Sequence, residues 1–129
     1  MKIEHVALWV ADLEGMKDFY VKRFGGSASE RYLNPRSGFS SYFIQFHEGA
    51  RLELMQMPGI LANANSEVRQ ALGYAHLAFS VGTAMEVERK TEALVQAGVK
   101  LLSAPRLTGD NYYESVVLDP EGNRIEITI

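Results

Sequence analysis

The chain contains no cysteine, which excludes a disulfide framework, thiolate metal ligation and a thiol nucleophile. Any metal site must therefore be built from His, Asp, Glu and water. An excess of one charge is missing too: 13 basic against 16 acidic residues give a formal net charge of −3, with neither sign gathered into a long run. That balance argues against a nucleic-acid partner, since a phosphate backbone asks for a basic face. Nor is there a long hydrophobic run. The opening "MKIEHVALWV" has too short an apolar stretch, and too much charge in it, for a signal peptide or a membrane span. The expectation is a soluble cytoplasmic protein with no membrane partner. At 129 residues it has length for about one domain with a real core, and none spare for a second full one.

What the chain does have is repetition. His5-Val6-Ala7-Leu8-Trp9-Val10 returns as His76-Leu77-Ala78-Phe79-Ser80-Val81, in the pattern H-[VL]-A-[LF]-x-V. "EGARLEL" (48–54) returns as "EGNRIEI" (121–127), in the same order and at nearly the same offset. The chain reads as two copies of one module. In the first copy a strand leads to a helix that Asp12 can cap, with Leu13, Met16, Tyr20 and Phe24 at helical spacing before Gly25-Gly26. The second copy has the capping box Thr83 to Glu86, then Val87, Thr91, Leu94 and Val95 on one face, and a stop at Gly98. Strands follow each helix: "SASERYL" (27–33), "SYFIQF" and "RLELM" around a turn at Glu48-Gly49 in the first copy, and "KLLSAP" (100–105), "ESVVL" and "RIEITI" around "DPEGN" in the second. The predicted fold is α+β: one domain, 1–129, of paired βαβββ modules, 1–55 and 74–129, forming a curved mixed sheet. Residues 56–73 are the connector, partly helical from Ser66.

Side chains alternate across a strand, so the face-mates of each histidine can be named. His5 shares its face with Ala7 and Trp9, and His76 with Ala78 and Ser80. In the closing strands Arg51, Glu53 and Met55 oppose Leu52 and Leu54, while Arg124, Glu126 and Thr128 oppose Ile125, Ile127 and Ile129. Each of the four strands has an apolar face suited to packing under a helix and another bearing one His or one Glu at the matching place. A sheet curved into a cup brings His5, Glu53, His76 and Glu126 together. Two neutral imidazoles and two carboxylates neutralise a divalent cation and leave octahedral positions open for water or substrate. This N/O set suits Zn, Ni, Co, Fe or Mn, and the lack of sulfur argues against a purely structural zinc. The alternative for the glutamates is an ordinary strand position paired with Arg51 or Arg124.

At these residues the sequence resembles the vicinal oxygen chelate superfamily, which includes glyoxalase I, methylmalonyl-CoA epimerase, extradiol dioxygenases, and fosfomycin and bleomycin resistance proteins. The resemblance spans essentially the whole chain, through the paired modules, the H-x-A-x-x-V openings and the ending "DPEGNRIEI". His5, Glu53, His76 and Glu126 fall where bacterial glyoxalase I carries its His, Glu, His, Glu ligands. The epimerase usually has Gln at the second ligand, the dioxygenases use two histidines and one carboxylate, and bleomycin-binding members typically lack the set. The resemblance therefore implies a lactoylglutathione lyase-like metalloenzyme that removes a proton next to a carbonyl, with Zn or Ni foremost among its metals. It implies Glu126 as general base, Glu53 as second carboxylate, and a homodimer whose cups close within one chain or between two.

One position departs from that pattern. Trp9 stands where glyoxalase I typically has an arginine that holds glutathione's glutamyl carboxylate, so the thiol half of the small-molecule substrate is left open. Arg51 and Arg124 on the cup face, or Arg36 and Arg106 on loops, are candidate replacements, and Trp9, Tyr112 and Tyr113 are candidate cup-lining residues. His47 has no counterpart in the second copy and falls outside the site. Two other classes fit the same ligands or fold: another metalloenzyme of the superfamily, epimerase or dioxygenase, and a non-catalytic small-molecule or antibiotic-binding resistance protein.

Overall fold

The computed structural model describes all residues, 1–129, and divides by backbone proximity into two compact units, Met1–Ala62 and Asn63–Ile129. The connector is shared between them, and none of it is helical. Where a helix is predicted from Ser66, the chain instead makes a turn in which the Ser66 amide donates to the Arg69 carbonyl and the Arg69 amide to Ser66 Oγ. Arg124 donates to the Ser66 and Glu67 carbonyls at 2.8 and 3.1 Å, and Lys100 pairs with Glu67 at 2.6 Å. A short helix is costly to nucleate, and these contacts hold the segment in its non-helical course. No helix in the chain is long and apolar enough to cross a membrane.

The first unit runs β1 (His5–Trp9), α1 (Leu13–Phe24), β2 (Ser27–Ala28), β3 (Tyr32–Asn34), β4 (Phe39–Gln45) and β5 (Arg51–Gln56). The predicted strand at 27–33 is thus two short ones, both paired with β4. Ser29 causes the break: its amide donates to the Phe43 carbonyl while its hydroxyl accepts from the Phe43 amide, and the side chain takes the ladder's place. Asp12 caps α1 by accepting from the Gly15 amide at 3.0 Å, and Gly25 ends it in the left-handed region at φ 70°. Leu13, Met16 and Tyr20 of α1 are buried with Ile44, Leu52 and Leu54 of β4 and β5. Each such side chain removed from water contributes about 1.5–3 kcal/mol.

The second unit runs β6 (His76–Ser80), α2 (Ala84–Gln96), β7 (Lys100–Leu107), β8 (Tyr113–Leu118) and β9 (Arg124–Thr128). Thr83 caps α2 by accepting from the Glu86 amide at 3.2 Å, but only that half of the predicted capping box forms, because the Glu86 carboxylate pairs with Arg89. Val87, Thr91 and Leu94 are buried with Val117, Ile125 and Ile127; Val95, predicted on the same face, is largely exposed. Thr91 is satisfied inside this core, bonding to the Val87 carbonyl and to Ser115 Oγ, both at 2.6 Å. β7 extends past Pro105 to Leu107, with register shifts between Leu101 and Ser103 and between Ser103 and Arg106, the kind of irregularity at which a strand accepts proline. Arg106 therefore stands on a strand and not, as predicted, on a loop.

Both sheets are wired alike. The order is β1-β5-β4-β2 in one and β6-β9-β8-β7 in the other, with the opening strand parallel to the closing strand in each. The first and last strands of each module are thereby made neighbours, and that adjacency brings a histidine beside a glutamate.

Candidate metal centre

In the parallel pairs Ala7 lies directly across from Glu53, and Ala78 from Glu126. Each histidine sits two residues earlier on its strand, at the diagonal position that long side chains can reach. Alanine between them leaves room for the carboxylate to lean toward the ring, which gives the H-x-A motif a physical reason. His5 Nε2 lies 3.8 Å from Glu53 Oε2, and His76 Nε2 lies 3.4 Å from Glu126 Oε2. Two bonds of about 2.0–2.2 Å from adjacent positions on one cation put the donor atoms about 3–3.5 Å apart; the His76–Glu126 pair lies in that range, and the His5–Glu53 pair lies just beyond it. Each unit brings together its own His and Glu. No group of three or more His, Asp or Glu side chains that could hold an ion forms in the chain.

Neither glutamate is tied up by the arginine two residues before it. Arg51 pairs with Glu4 and lies over the Phe43 ring, 4.2 Å from its centroid, and Arg124 is spent on the connector carbonyls. Both arginines proposed as substrate-binding thus have structural partners. The Nδ1 side of His5 is held by Glu4, and its ring meets Phe43 edge-on at 5.4 Å. A carboxylate on Nδ1 fixes the tautomer that leaves Nε2 available as a ligand. The hydrogen bond with His5 holds the Glu4 carboxyl below the ordinary carboxylate range, with burial opposing it and Arg51 adding to it.

In the second unit burial, and then the negative charge of Glu114, push the Glu126 carboxyl above the ordinary range, while His76 acts the other way. Glu114 was not legible as a site residue from its own strand alone. It lies across from Thr128 in the β8–β9 ladder, on the Glu126 face, and pairs with Arg106 at 3.6 Å. Of the other candidates, Trp9 is partly exposed and packs edge-on against Phe39 at 6.1 Å, and Phe39 also meets Tyr32. Tyr112 is exposed in the β7–β8 turn, where its backbone binds Thr108. Tyr113 donates to Glu88 of α2 at 2.7 Å, which makes it a link between helix and sheet. Arg36 follows the β3 turn, its amide donating to Asn34 Oδ1. His47 is exposed, 3.9 Å from Glu48.

Two βαβββ-type units, each with a mixed sheet covered by one helix and each bearing a His–Glu pair, define a paired-module fold. The sequence profile of the Glyoxalase/Bleomycin resistance protein/Dioxygenase superfamily matches residues 2–127, and the chain belongs to that superfamily. It is 28% identical to the lactoylglutathione lyase of Shigella flexneri over 130 aligned positions, covering 98% of this chain and 91% of the relative. In fold it is similar to a glyoxalase family protein of Enterococcus faecalis, with a TM-score of 0.81, 23% identity and coverage of 99% and 97% of the two chains. It is also similar to glyoxalase I from Zea mays, with a TM-score of 0.80 and 19% identity; 98% of this chain matches there but only 44% of the maize protein, so the chain spans less than half of that relative.

Proposed function

We propose that the protein is a divalent-metal-dependent lyase or isomerase of glyoxalase I type, acting by proton abstraction next to a carbonyl. The observation that carries this reading is the matched pair of sites: in both units an imidazole Nε2 faces a carboxylate, at 3.8 Å in the first and 3.4 Å in the second, and in neither is the carboxylate committed to a neighbouring arginine. The similarity to a lactoylglutathione lyase supports it. His5, Glu53, His76 and Glu126 would hold the ion, with Zn or Ni foremost, in a cup made of one pair of each kind, within one chain or across a homodimer. When bound, the divalent ion supplies positive charge that polarises the substrate oxygens. Glu126 takes a proton from one substrate carbon and returns it to the next, and Glu53 is the second carboxylate. His5, its Nδ1 anchored on Glu4, keeps a fixed ring orientation while this happens.

The test is elemental analysis of purified wild-type protein beside a His76→Ala variant. The expected result is about one transition metal per chain, lost in the variant because removing a ligand leaves the ion too weakly held to survive purification. Turnover of methylglyoxal hemithioacetals is then expected in the metal-loaded wild type. A wild type that takes up no Ni or Zn on incubation would overturn the metal reading and leave a small-molecule binding protein on the same fold.

A further inference from the structure

One register row beyond the His76–Glu126 pair, the second sheet carries a line of polar side chains that this chemistry does not use. Ser80 is across from Thr128, Thr128 from Glu114, and Glu114 from Arg106, so the four lie on one face of four neighbouring strands. Alternation along β9 puts Thr128 on the same face as Glu126. Its hydroxyl is buried without any hydrogen-bond partner, in a side chain whose residue is only 8% exposed. Buried hydroxyls are nearly always bonded, and an orphan of this kind marks a place where something absent from the chain completes the bonding. Beside it Glu114 is 14% exposed, meets the Glu126 side chain, and has one ion pair, to a half-exposed Arg106 at 3.6 Å. Arg106 is anchored elsewhere, donating from Nε to Ser103 Oγ at 3.2 Å.

The donor and acceptor inventory selects the ligand. A carboxylate only accepts, so it could bond to Thr128 but would meet the Glu114 carboxylate with no proton to give it. An ammonium only donates and leaves the Thr128 proton unbonded. A hydroxyl does both, donating to Glu114 and accepting from Thr128 with a single oxygen. We propose that the Thr128–Glu114 row is a substrate subsite that receives a neutral hydroxyl group of the thiol half of the substrate. This inference rests on the glyoxalase reading and adds to it the class of thiol: a hydroxylated one, in place of one recognised through a carboxylate.

The experiment compares hemithioacetals of methylglyoxal with 1-thioglycerol, 1-propanethiol and mercaptoacetate, using metal-loaded wild type, Thr128→Val and Glu114→Gln. A buried site built to bond a hydroxyl discriminates against analogues lacking it, so kcat/KM for the thioglycerol adduct is expected to exceed the propanethiol adduct by about tenfold or more. In Thr128→Val, which keeps the side chain's shape, that ratio falls toward one, and in Glu114→Gln it falls part of the way. Equal kcat/KM for the two adducts in wild type, as expected if only water fills the row, overturns the proposal. So does a preference for the mercaptoacetate adduct, or a thioglycerol preference that survives both variants. If no adduct is turned over, the glyoxalase reading fails, and binding to the metal-free protein decides the subsite separately. A shift of the Thr128 methyl resonance on adding 3-methylthio-1,2-propanediol, absent with methyl propyl sulfide, supports it; no shift with either overturns it.

Discussion

The two units share a framework and differ in what surrounds it. Both place a histidine at the start of an edge strand, an alanine two residues on, and a glutamate across from that alanine on the parallel neighbour. In the first unit the rest of the face is aromatic and arginine-capped: Phe43 beside His5, then Trp9, Met55, Ser41 and Tyr32 in the row beyond. In the second the equivalent row is Ser80, Thr128, Glu114 and Arg106. Strand pairing and pleat fix the His–Glu geometry, so it persists in both copies. The residues one row away are not needed for the pairing and are where the copies differ, one row largely apolar and the other polar.

The largest expected effect sets Glu126→Gln against Glu53→Gln. Either change keeps shape and ligating capacity through the amide oxygen but removes a proton acceptor. With Glu126 as the base, its replacement is expected to lower kcat on the preferred hemithioacetal by about 100- to 10,000-fold, the range a positioned general base supplies. Glu53→Gln is expected to cost at least tenfold less than that. Equal losses at matched metal content would show that the units divide the proton transfer evenly and would break the distinction between them.

A smaller difference concerns the histidines. His5 has Glu4 on its Nδ1 side, whereas the residue preceding His76 is Ala75, so only the first ring has a carboxylate of this kind from its own strand entry. Outer partners of this sort are typically worth about 10–100-fold in metal affinity. Glu4→Ala is therefore expected to weaken zinc binding by about tenfold in a competition titration against a chelator, because His5 loses its preferred tautomer and orientation. Unchanged affinity would mean that Glu4 serves Arg51 alone.

Much of this is legible in the sequence. The repeated H-x-A opening, the two closing strands and the alternation along each strand placed His5, Glu53, His76 and Glu126 on matching faces, because period-two patterning is a local property. The partners of Arg51 and Arg124 were not readable, since Glu4 precedes the first strand and the Ser66–Glu67 carbonyls belong to a segment without periodicity. Glu114 was within reach. The five-residue turn "DPEGN" sets Leu118 across from Arg124 and, counting back, Glu114 across from Thr128. What sequence could not give is that Thr128 would be buried there without a partner, because burial depends on the packing of several strands at once.

The smallest effect tests how each helix hands over to its sheet. α1 is followed by Gly25-Gly26 and α2 by Ala97-Gly98-Val99. Gly25 and Gly98 occupy the same left-handed conformation, at φ 70° and 84°, but the next residue differs: glycine in the first unit and valine in the second. At Gly26 an added Cβ would sit 2.4 Å from Ile44 Cγ2 and 3.1 Å from Phe46 Cε1. Ile44 is fully buried and cannot step aside cheaply. Gly26→Ala is thus expected to cost about 1–3 kcal/mol by overpacking, read as a lower urea midpoint with an unchanged slope. The second unit already carries a β-branched side chain at this place, so Val99→Ala is expected to act in the opposite sense, by losing packing, and more weakly, at about 1 kcal/mol. A neutral Gly26→Ala would mean that the β2 end of the first sheet can move away from its helix, and that the close approach of this chain entry to Ile44 is not what keeps glycine there.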